Sequence, residues 1–487
     1  MSPAYEPVIG LEIHVQLKTA TKMFCGCDLS FGDPPNTHTC PVCLGLPGAL
    51  PVVNARAVEF AVMIGLALGS EIAPRSLFHR KNYFYPDSPK GYQISQYDVP
   101  VCLGGRLGEV RIHRVHLEED AAKLIHVGES GRIHGSDRSV VDFNRCGTPL
   151  VEIVTEPDVR SPEQAREWLT LLRTTLRQLG VSDVNMDEGS LRCDANVSIR
   201  PVGSSELGTK TELKNMNSFR FLERGVRAEI ARQETLVAEG SPVVQETLHY
   251  DPASGRLTPL RSKEEAHDYR YFPEPDLVPL LVTDELRDAA QAALPELPAA
   301  RAERFETTLG IAAGQARDLA FRKELADYFE AALAADGAGA GGNGDLSPSE
   351  IANWIPQLVE RIGSDADPAQ SRVSPAALSK LAGLVVSRAI SRDAGREVLT
   401  RLVADGGDPG EIVEREGLGA ISADDGGDLV AIVDAAIAAD PNAAEKVRDG
   451  NMKAIGPLVG YVMRETKGRA DGGEVTRLIR ERVARAD

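Results

Sequence analysis

Residues 8 to 17 read Val8-Ile9-Gly10-Leu11-Glu12-Ile13-His14-Val15-Gln16-Leu17. An extended chain sends successive side chains to opposite faces, so a strand here sets Glu12, His14 and Gln16 on one side and only aliphatic groups on the other. The same alternation returns in Asp194-Ala195-Asn196-Val197-Ser198-Ile199-Arg200 and in Lys210-Thr211-Glu212-Leu213-Lys214-Asn215. Such segments predict a sheet with one face packed on a core and one face wet and charged.

The chain has 487 residues, 42% of them hydrophobic, enough for two or three cores at about 100 to 200 residues per domain. Its start lacks a basic segment, and the longest apolar run, Phe60 to Leu68, is about half of the roughly 20 residues that span a bilayer. Seven cysteines, an odd number in a long chain, argue for a reducing compartment and against a disulfide framework. The expectation is a soluble, cytoplasmic protein with no membrane partner. A formal charge of −18 argues against generic polyanion binding, yet residues 446 to 485 hold ten Lys or Arg against five Asp or Glu.

Up to about residue 290 the chain shows strand-like alternation and turn dipeptides, with one clear helix starting at Ser161-Pro162-Glu163 and running to about Leu179. This reads as one large α+β domain, residues 1–295. Beyond Pro298, Ala and Leu recur at helical spacing, as in Glu324 to Ala335, Ala376 to Ser387 and Asp428 to Ala439, so the remainder should be all helical. Gly337 to Gly344 is a low-complexity spacer that we read as a loop between two helices of one bundle. The hinge is expected near Gly406-Gly407-Asp408-Pro409-Gly410, dividing a helical domain, 296–409, from a basic tail, 410–487.

Cys25-Gly26-Cys27 and Cys40-Pro41-Val42-Cys43 are separated by twelve residues, a spacing that suits two knuckles closing on a tetrahedral zinc ion (Zn2+). Four thiolates leave no open position, so this metal would hold a loop rather than activate water. Cys102, Cys146 and Cys193 have no such company. The second signal is acidic: Glu12, the pair Glu118-Glu119, Glu152, Asp194 and Glu212 each lie in or beside an alternating segment. Singly, each is better explained by a solvated strand face. Together on one face they would repel unless a hard cation lay among them, and oxygen donors suit magnesium (Mg2+), with His14 as a further ligand or proton carrier.

Phe78-His79-Arg80-Lys81-Asn82-Tyr83-Phe84-Tyr85-Pro86-Asp87 and Lys90-Gly91-Tyr92-Gln93-Ile94-Ser95-Gln96 interleave rings with basic and amide groups, a composition able to stack a base and hold phosphates or simply to pack as a Tyr-rich turn. No Walker loop and no G-x-G-x-x-G following a strand is present, so a nucleotide needs an unusual site.

These segments, with Asn144-Arg-Cys-Gly-Thr-Pro-Leu150, Gly189-Ser-Leu-Arg-Cys-Asp-Ala-Asn196 and Asp268-Tyr-Arg-Tyr-Phe-Pro-Glu-Pro-Asp276, resemble the B-subunit family of aspartyl/glutamyl-tRNA amidotransferases, nearly end to end. The resemblance implies a cradle-shaped catalytic domain on an antiparallel sheet, a helical domain and a small tail similar to the YqeY family. It implies ATP-dependent phosphorylation of the side-chain carboxylate of Glu on tRNA(Gln) or Asp on tRNA(Asn), followed by displacement of the phosphate by ammonia. It also implies an amidase (A) subunit that releases the ammonia from glutamine and a small C subunit. The family's magnesium and catalytic positions fall on Glu12, His14, Glu119, Glu152, Asp194 and Glu212, with Glu119 preferred to Glu118 by motif alignment. Lys81, Tyr83, Tyr85, Lys90, Ser190, Lys210 and Asn215 are the candidate nucleotide contacts. The tail departs from the family at Asp471-Gly472, where Asn-Pro is usual. The competing class is a non-catalytic tRNA-binding scaffold, which would share the basic tail but need no acidic cluster.

Overall fold

The computed structural model describes residues 4–127, 136–214, 216–252, 254–259, 269–335, 346–363, 366–420, 428–466 and 469–485. The chain divides into two compact units, Met1–Leu297 and Pro298–Asp487. The fold is α+β, with a large sheet in the first unit.

Five strands make the middle of that sheet: β1 (Tyr5–Gln16), β2 (Val110–Glu119), β3 (Pro149–Thr155), β4 (Leu191–Pro201) and β5 (Thr211–Lys214). Their spatial order is β5-β4-β1-β3-β2, all antiparallel. The sheet continues past β5 through Thr247–Asp251 and Arg256–Pro259, and past β2 through Cys102–Leu103 and Glu71–Ile72. One pairing departs from the antiparallel expectation: β5 and Thr247–Asp251 run parallel. The chain covers the intervening distance through helix α3 (Phe219–Ala238), a crossover of the length that parallel neighbours require.

Ile9, Leu11, Ile13 and Val15 of β1 are buried and share one core with helices α1 (Ala55–Ala67) and α2 (Pro162–Leu179). Helix α2 begins and ends where its sequence signals lie. Ser161 accepts a hydrogen bond from the Gln164 N–H, Pro162 occupies the first turn, and Gly180 closes the helix in the left-handed region at φ 70°. Its apolar stripe, including Leu169, Leu172 and Leu176, is fully buried. The aromatic run forms a small separate sheet in which His79–Asn82 lies between Tyr92–Ser95 and Phe272–Pro273.

Among its described residues the second unit holds helices and no strand. The predicted helices occur as Lys323–Ala335, Pro375–Val386 and Asp428–Ala439. The Gly337 to Gly344 spacer lies outside the described residues. Two apolar cores are present. Helix Pro409–Glu416, capped by Asp408, still buries Ile412 in the first, which ends at Leu418; the second begins at Leu429. At the departure in the tail, Asp471 caps helix Gly472–Arg485 by accepting from the Glu474 N–H at 2.8 Å. A capping Asp thus supplies the turn without proline. No helix among the described residues is long and apolar enough to cross a membrane.

Gly65 shows how closely α1 lies against the sheet edge: an added Cβ would overlap Cys102 Sγ and lie 2.8 Å from Ile72 Cδ1. Overpacking a core in this way costs about 1 to 3 kcal/mol. Gly65→Ala should lower the urea midpoint accordingly, and an unchanged midpoint would contradict this packing.

Candidate functional site

Strand register builds the site. His14 stands opposite Glu152 of β3 on one side and Arg192 of β4 on the other, and Glu152 in turn stands opposite His116 of β2. One rung further along, Gln16 pairs with Leu150, and Leu150 with Glu118. Side chains of alternate residues on these strands therefore meet on one face. His14 Nε2 is 3.3 Å from Glu152 Oε2 and 3.7 Å from Glu118 Oε1. His116 Nε2 lies 3.6 Å and 3.7 Å from the same two carboxylates.

Both glutamates and His116 are buried, so their charges must be met locally. Burial works to lower the pKa of His14, but the Glu152 hydrogen bond and the charges of Glu152 and Glu118 raise it to about 9. Burial would raise Glu152, yet the His116 charge and the His14 hydrogen bond hold it well below the ordinary carboxylate range. Glu118 is likewise lowered against its burial, chiefly by the hydrogen bond from His116.

The acid expected at 119 enters a different pairing. Glu119 is one residue past Glu118 and so faces away from His14, forming a buried ion pair with Lys90 and accepting from the Ile94 N–H at 3.0 Å. Strand parity makes Glu118 the member of the pair that meets His14 and Glu152, while both acids line the cavity over this face. The other predicted acids lie along the same face in separate pairings. Glu12, opposite Asp194 in register, accepts from Asn196 Nδ2 at 2.9 Å. Asp194 and Glu212 both pair with Lys214, at 3.1 and 3.5 Å, and Glu212 also accepts from Thr247 Oγ1. Sequence reasoning missed His116, Arg192 and Lys214. The alternation of Val115-His116-Leu117-Glu118 carried the signal for the first of them.

A cavity of about 340 Å³ opens over this face, and His14, Glu118 and Asp194 reach it together with the cations of Lys81, Lys90, Arg192 and Lys214. Of the predicted nucleotide contacts, Lys81, Tyr83 and Lys90 line it, and Tyr85 stacks on Tyr83 at 5.7 Å. Ser190 and Lys210 are not brought there. The Ser190 hydroxyl accepts from the Asn185 N–H and donates to its carbonyl, closing a turn, and Lys210 is exposed ahead of β5. Asn215 lies outside the described residues, as does Asp268. Arg80 is held by structure, bidentate to Glu274 at 2.7 Å and over the Tyr92 ring. Lys81 packs 4.8 Å from the Tyr269 ring centre. Burial disfavours its charge, but Tyr271, Glu118 and Glu152 hold it above the ordinary lysine value.

Beside the cavity the sulfurs of Cys25, Cys27, Cys40 and Cys43 lie within 4.8 Å of one another. The buried Lys22 ammonium approaches Cys43 Sγ at 3.7 Å and donates to the His38 and Phe143 carbonyls. The hydrogen bond from Cys25 pulls the Cys43 thiol down to about 4, with Lys22 assisting, while Cys25 itself is pushed up. Four converging sulfurs with one cation to offset their charge fit a closed zinc site. The two carboxylates and imidazole of Glu118, Glu152 and His14, also within 4.8 Å, fit a hard cation, and the buried Nδ1 of His116 behind them has no hydrogen-bond partner. The other three cysteines are buried, and burial pushes the Cys146 thiol up to about 12 and raises those of Cys102 and Cys193 as well, the reverse of what a nucleophile needs.

The model of the GatB/GatE catalytic domain matches residues 7–288, more than half of the chain, and that of the GatB domain matches residues 327–483. The chain belongs to the GatB/GatE family. The B subunit of the aspartyl/glutamyl-tRNA(Asn/Gln) amidotransferase of Frankia casuarinae is 52% identical to it, over 98% of this chain and 96% of that protein. The B subunits of the same name from an Anaeromyxobacter species and from Carboxydothermus hydrogenoformans are 48% and 46% identical, over 98% and 99% of this chain and 99% of each relative. The charged face and its cavity thus lie within the span of the GatB/GatE catalytic domain, and this family member is an enzyme subunit.

Asp120 sits at the edge of the same cavity, buried, accepting from Arg192 Nη2 and Gln16 Nε2, each at 2.7 Å. Burial would raise its carboxyl, but Arg192 and Arg145 hold it below the ordinary value. Such a group contributes stability above its unfolded pKa, and the contribution is lost as pH falls through the lowered folded value. Asp120→Asn should cost about 2 kcal/mol near neutral pH, discounted because Arg192 is partly exposed, and should flatten the fall in stability toward acid pH in thermal melts. A variant as acid-sensitive as the parent would rule this out. Metal analysis of the purified protein should find one zinc per chain, lost on combining Cys25→Ser with Cys40→Ser, with the loop to about residue 50 loosening before the rest of the fold. Zinc that survives the double change would refute the four-sulfur site.

Proposed function

We propose that the chain carries out the ATP-dependent half of tRNA-dependent amide synthesis: phosphorylation and transamidation of Glu-tRNA(Gln), Asp-tRNA(Asn) or both. The observation that carries this reading is the cavity in which His14 and Glu118, backed by Glu152, meet four cations. Transfer of a phosphoryl group to a carboxylate brings two anions together, so it needs positioning and charge neutralisation more than a nucleophilic side chain.

In this reading Lys81, Lys90, Arg192 and Lys214 hold the phosphates and the substrate carboxylate, with Tyr83 and Tyr85 offering rings to the base. Glu118 takes the place first given to Glu119 and, with His14 and Glu152, holds magnesium; Glu12, Asp194 and Glu212 extend that acidic face. Magnesium bound there supplies neutralisation of charge on the transferring phosphoryl group. The γ-phosphoryl of ATP passes to a side-chain oxygen of the esterified Glu or Asp, releasing ADP. Ammonia then attacks the acyl carbon and phosphate leaves. None of the three cysteines outside the four-sulfur cluster has the lowered pKa that glutamine hydrolysis through cysteine requires, which supports a separate amidase subunit and a small C subunit as partners. The packed helical tail, which by its own core begins after Leu418, supplies ten basic residues for tRNA phosphates. The working compartment is the cytoplasm.

Glu118→Gln keeps the shape of the side chain and removes its charge. In the complex with its partner subunits it should reduce formation of the acyl-phosphate by about 100-fold, while Glu119→Gln should act differently, through Lys90, and tRNA affinity should hold in both. Full ATP-dependent phosphorylation by Glu118→Gln would overturn the assignment.

A further inference from the structure

We propose that Gly45, in the turn that follows Cys43, is a positioning residue that sets the place of the Lys90 ammonium in the substrate cavity. The inference rests on the reading of Lys90 as a phosphate-holding group and goes beyond it by naming what fixes that group.

Three observations meet at this point. The side chains of Lys90 and Glu119 are only 8% and 5% exposed and form an ion pair, so Lys90 has little room to choose another position. Both residues line two spaces at once: the cavity of about 340 Å³ over the charged face, and a smaller one of about 100 Å³ beneath the cysteine knuckle, also lined by Cys25, Cys43 and Gly45. The ion pair is therefore the partition between knuckle and site. Finally, Gly45 adopts φ +66°, and a Cβ there would overlap Lys90 Cγ and lie 3.1 Å from its Cα and 3.2 Å from its Cβ. Those atoms are the root of the lysine, not its flexible end, so the lysine backbone itself would have to give way.

The turn has little freedom to yield instead. Its geometry is fixed by the Gly45 N–H donating to the Val42 carbonyl at 3.0 Å, the Leu44 N–H donating to the Cys40 carbonyl at 3.1 Å and the Cys40 N–H donating to Cys43 Sγ at 3.2 Å. Glu119 is tied in turn to the Ile94 N–H. The sulfurs thus set the turn, the turn sets Gly45, and Gly45 sets the stem whose ammonium faces the cavity. Displacement of a positioned group by about an ångström is enough to cost up to about 100-fold in rate.

The test uses the complete complex and six variants. Gly45→Ala should lower the efficiency of ATP-dependent phosphorylation by about 10- to 100-fold while zinc stays at the parental stoichiometry. Gly48→Ala is the control, because Gly48 also has φ above zero, +85°, with nothing within 4 Å of an added Cβ; it carries the backbone strain alone and should leave activity unchanged. In a Lys90→Met background, which keeps the stem and removes the charge, Gly45→Ala should add no further loss. A loss that multiplies in full on top of Lys90→Met, or one matched by Gly48→Ala, would overturn the positioning role. A silent Lys90→Met would instead overturn the reading of Lys90 on which it rests. Melting temperature gives a readout free of activity: Gly45→Ala should cost less stability in a Lys90→Ala background, where the overlapping Cγ is gone, and equal costs in the two backgrounds would mean that the residues do not touch.

Discussion

A strand paired on both sides cannot turn one side chain without turning the rest, and this constraint on β1 governs the first unit. Its register with β3 and β4 is continuous from Gln16 to Glu12 and from Val15 to Tyr5 respectively. Burying Ile9, Leu11, Ile13 and Val15 on one face therefore commits Glu12, His14 and Gln16 to the other. A slip of one residue would carry the aliphatic groups into the cavity and the charges into the core. The apolar core thus enforces the position of the polar cluster, and the chemistry on one face depends on packing on the other.

The polar face has its own balance to keep. Glu118 and Glu152 would each prefer to be protonated at that depth, and what keeps them ionised is the pair of imidazoles between them. The sheet supplies this arrangement cheaply, because His116, Glu152 and His14 are successive members of one rung on three adjacent strands. A cation bound to the two carboxylates and His14 would take over the role of the His14 proton, so the same geometry serves with or without metal. Around this anionic centre the cavity wall is cationic, and opposite signs side by side suit a reaction in which a carboxylate must approach a polyphosphate.

Much of this was legible in the sequence where a local rule and a buried face agreed. Alternation located β1, β4 and β5; the Ser-Pro-Glu start and the glycine after Leu179 bounded α2; paired cysteines brought four sulfurs together. Legibility failed where the outcome depended on partners distant in sequence. The parity of Glu118 is visible in its own strand, yet motif alignment pointed to its neighbour. Arg192 and Lys214 were easily passed over, since a basic residue near a strand end is usually solvated; the register opposite His14 and the ion pair with Asp194 bring them to the cavity. Ser190 and Lys210 lie just before the strands and do not line the cavity, since adjacency in sequence to the acidic strands does not by itself carry a side chain to their face. The parallel pairing beyond β5 depends on a long helical crossover, which alternation within a strand cannot express.

The cysteine knuckle follows from the same reasoning about depth. A sheet face holds its own residues in register, but Lys90 comes from a turn outside that sheet and has no ladder to fix it. Turns hold position less firmly than paired strands unless something else pins them. Glu119, at the end of β2 and facing away from the acidic cluster, is placed to hold the head of that lysine, and Gly45 stands against its root. A turn pinned by four converging sulfurs next to the cavity would give a loop-borne cation some of the rigidity that the neighbouring strands give theirs. That is a physical reason for a closed metal site, inert in itself, to lie one ion pair away from the proposed catalytic cavity.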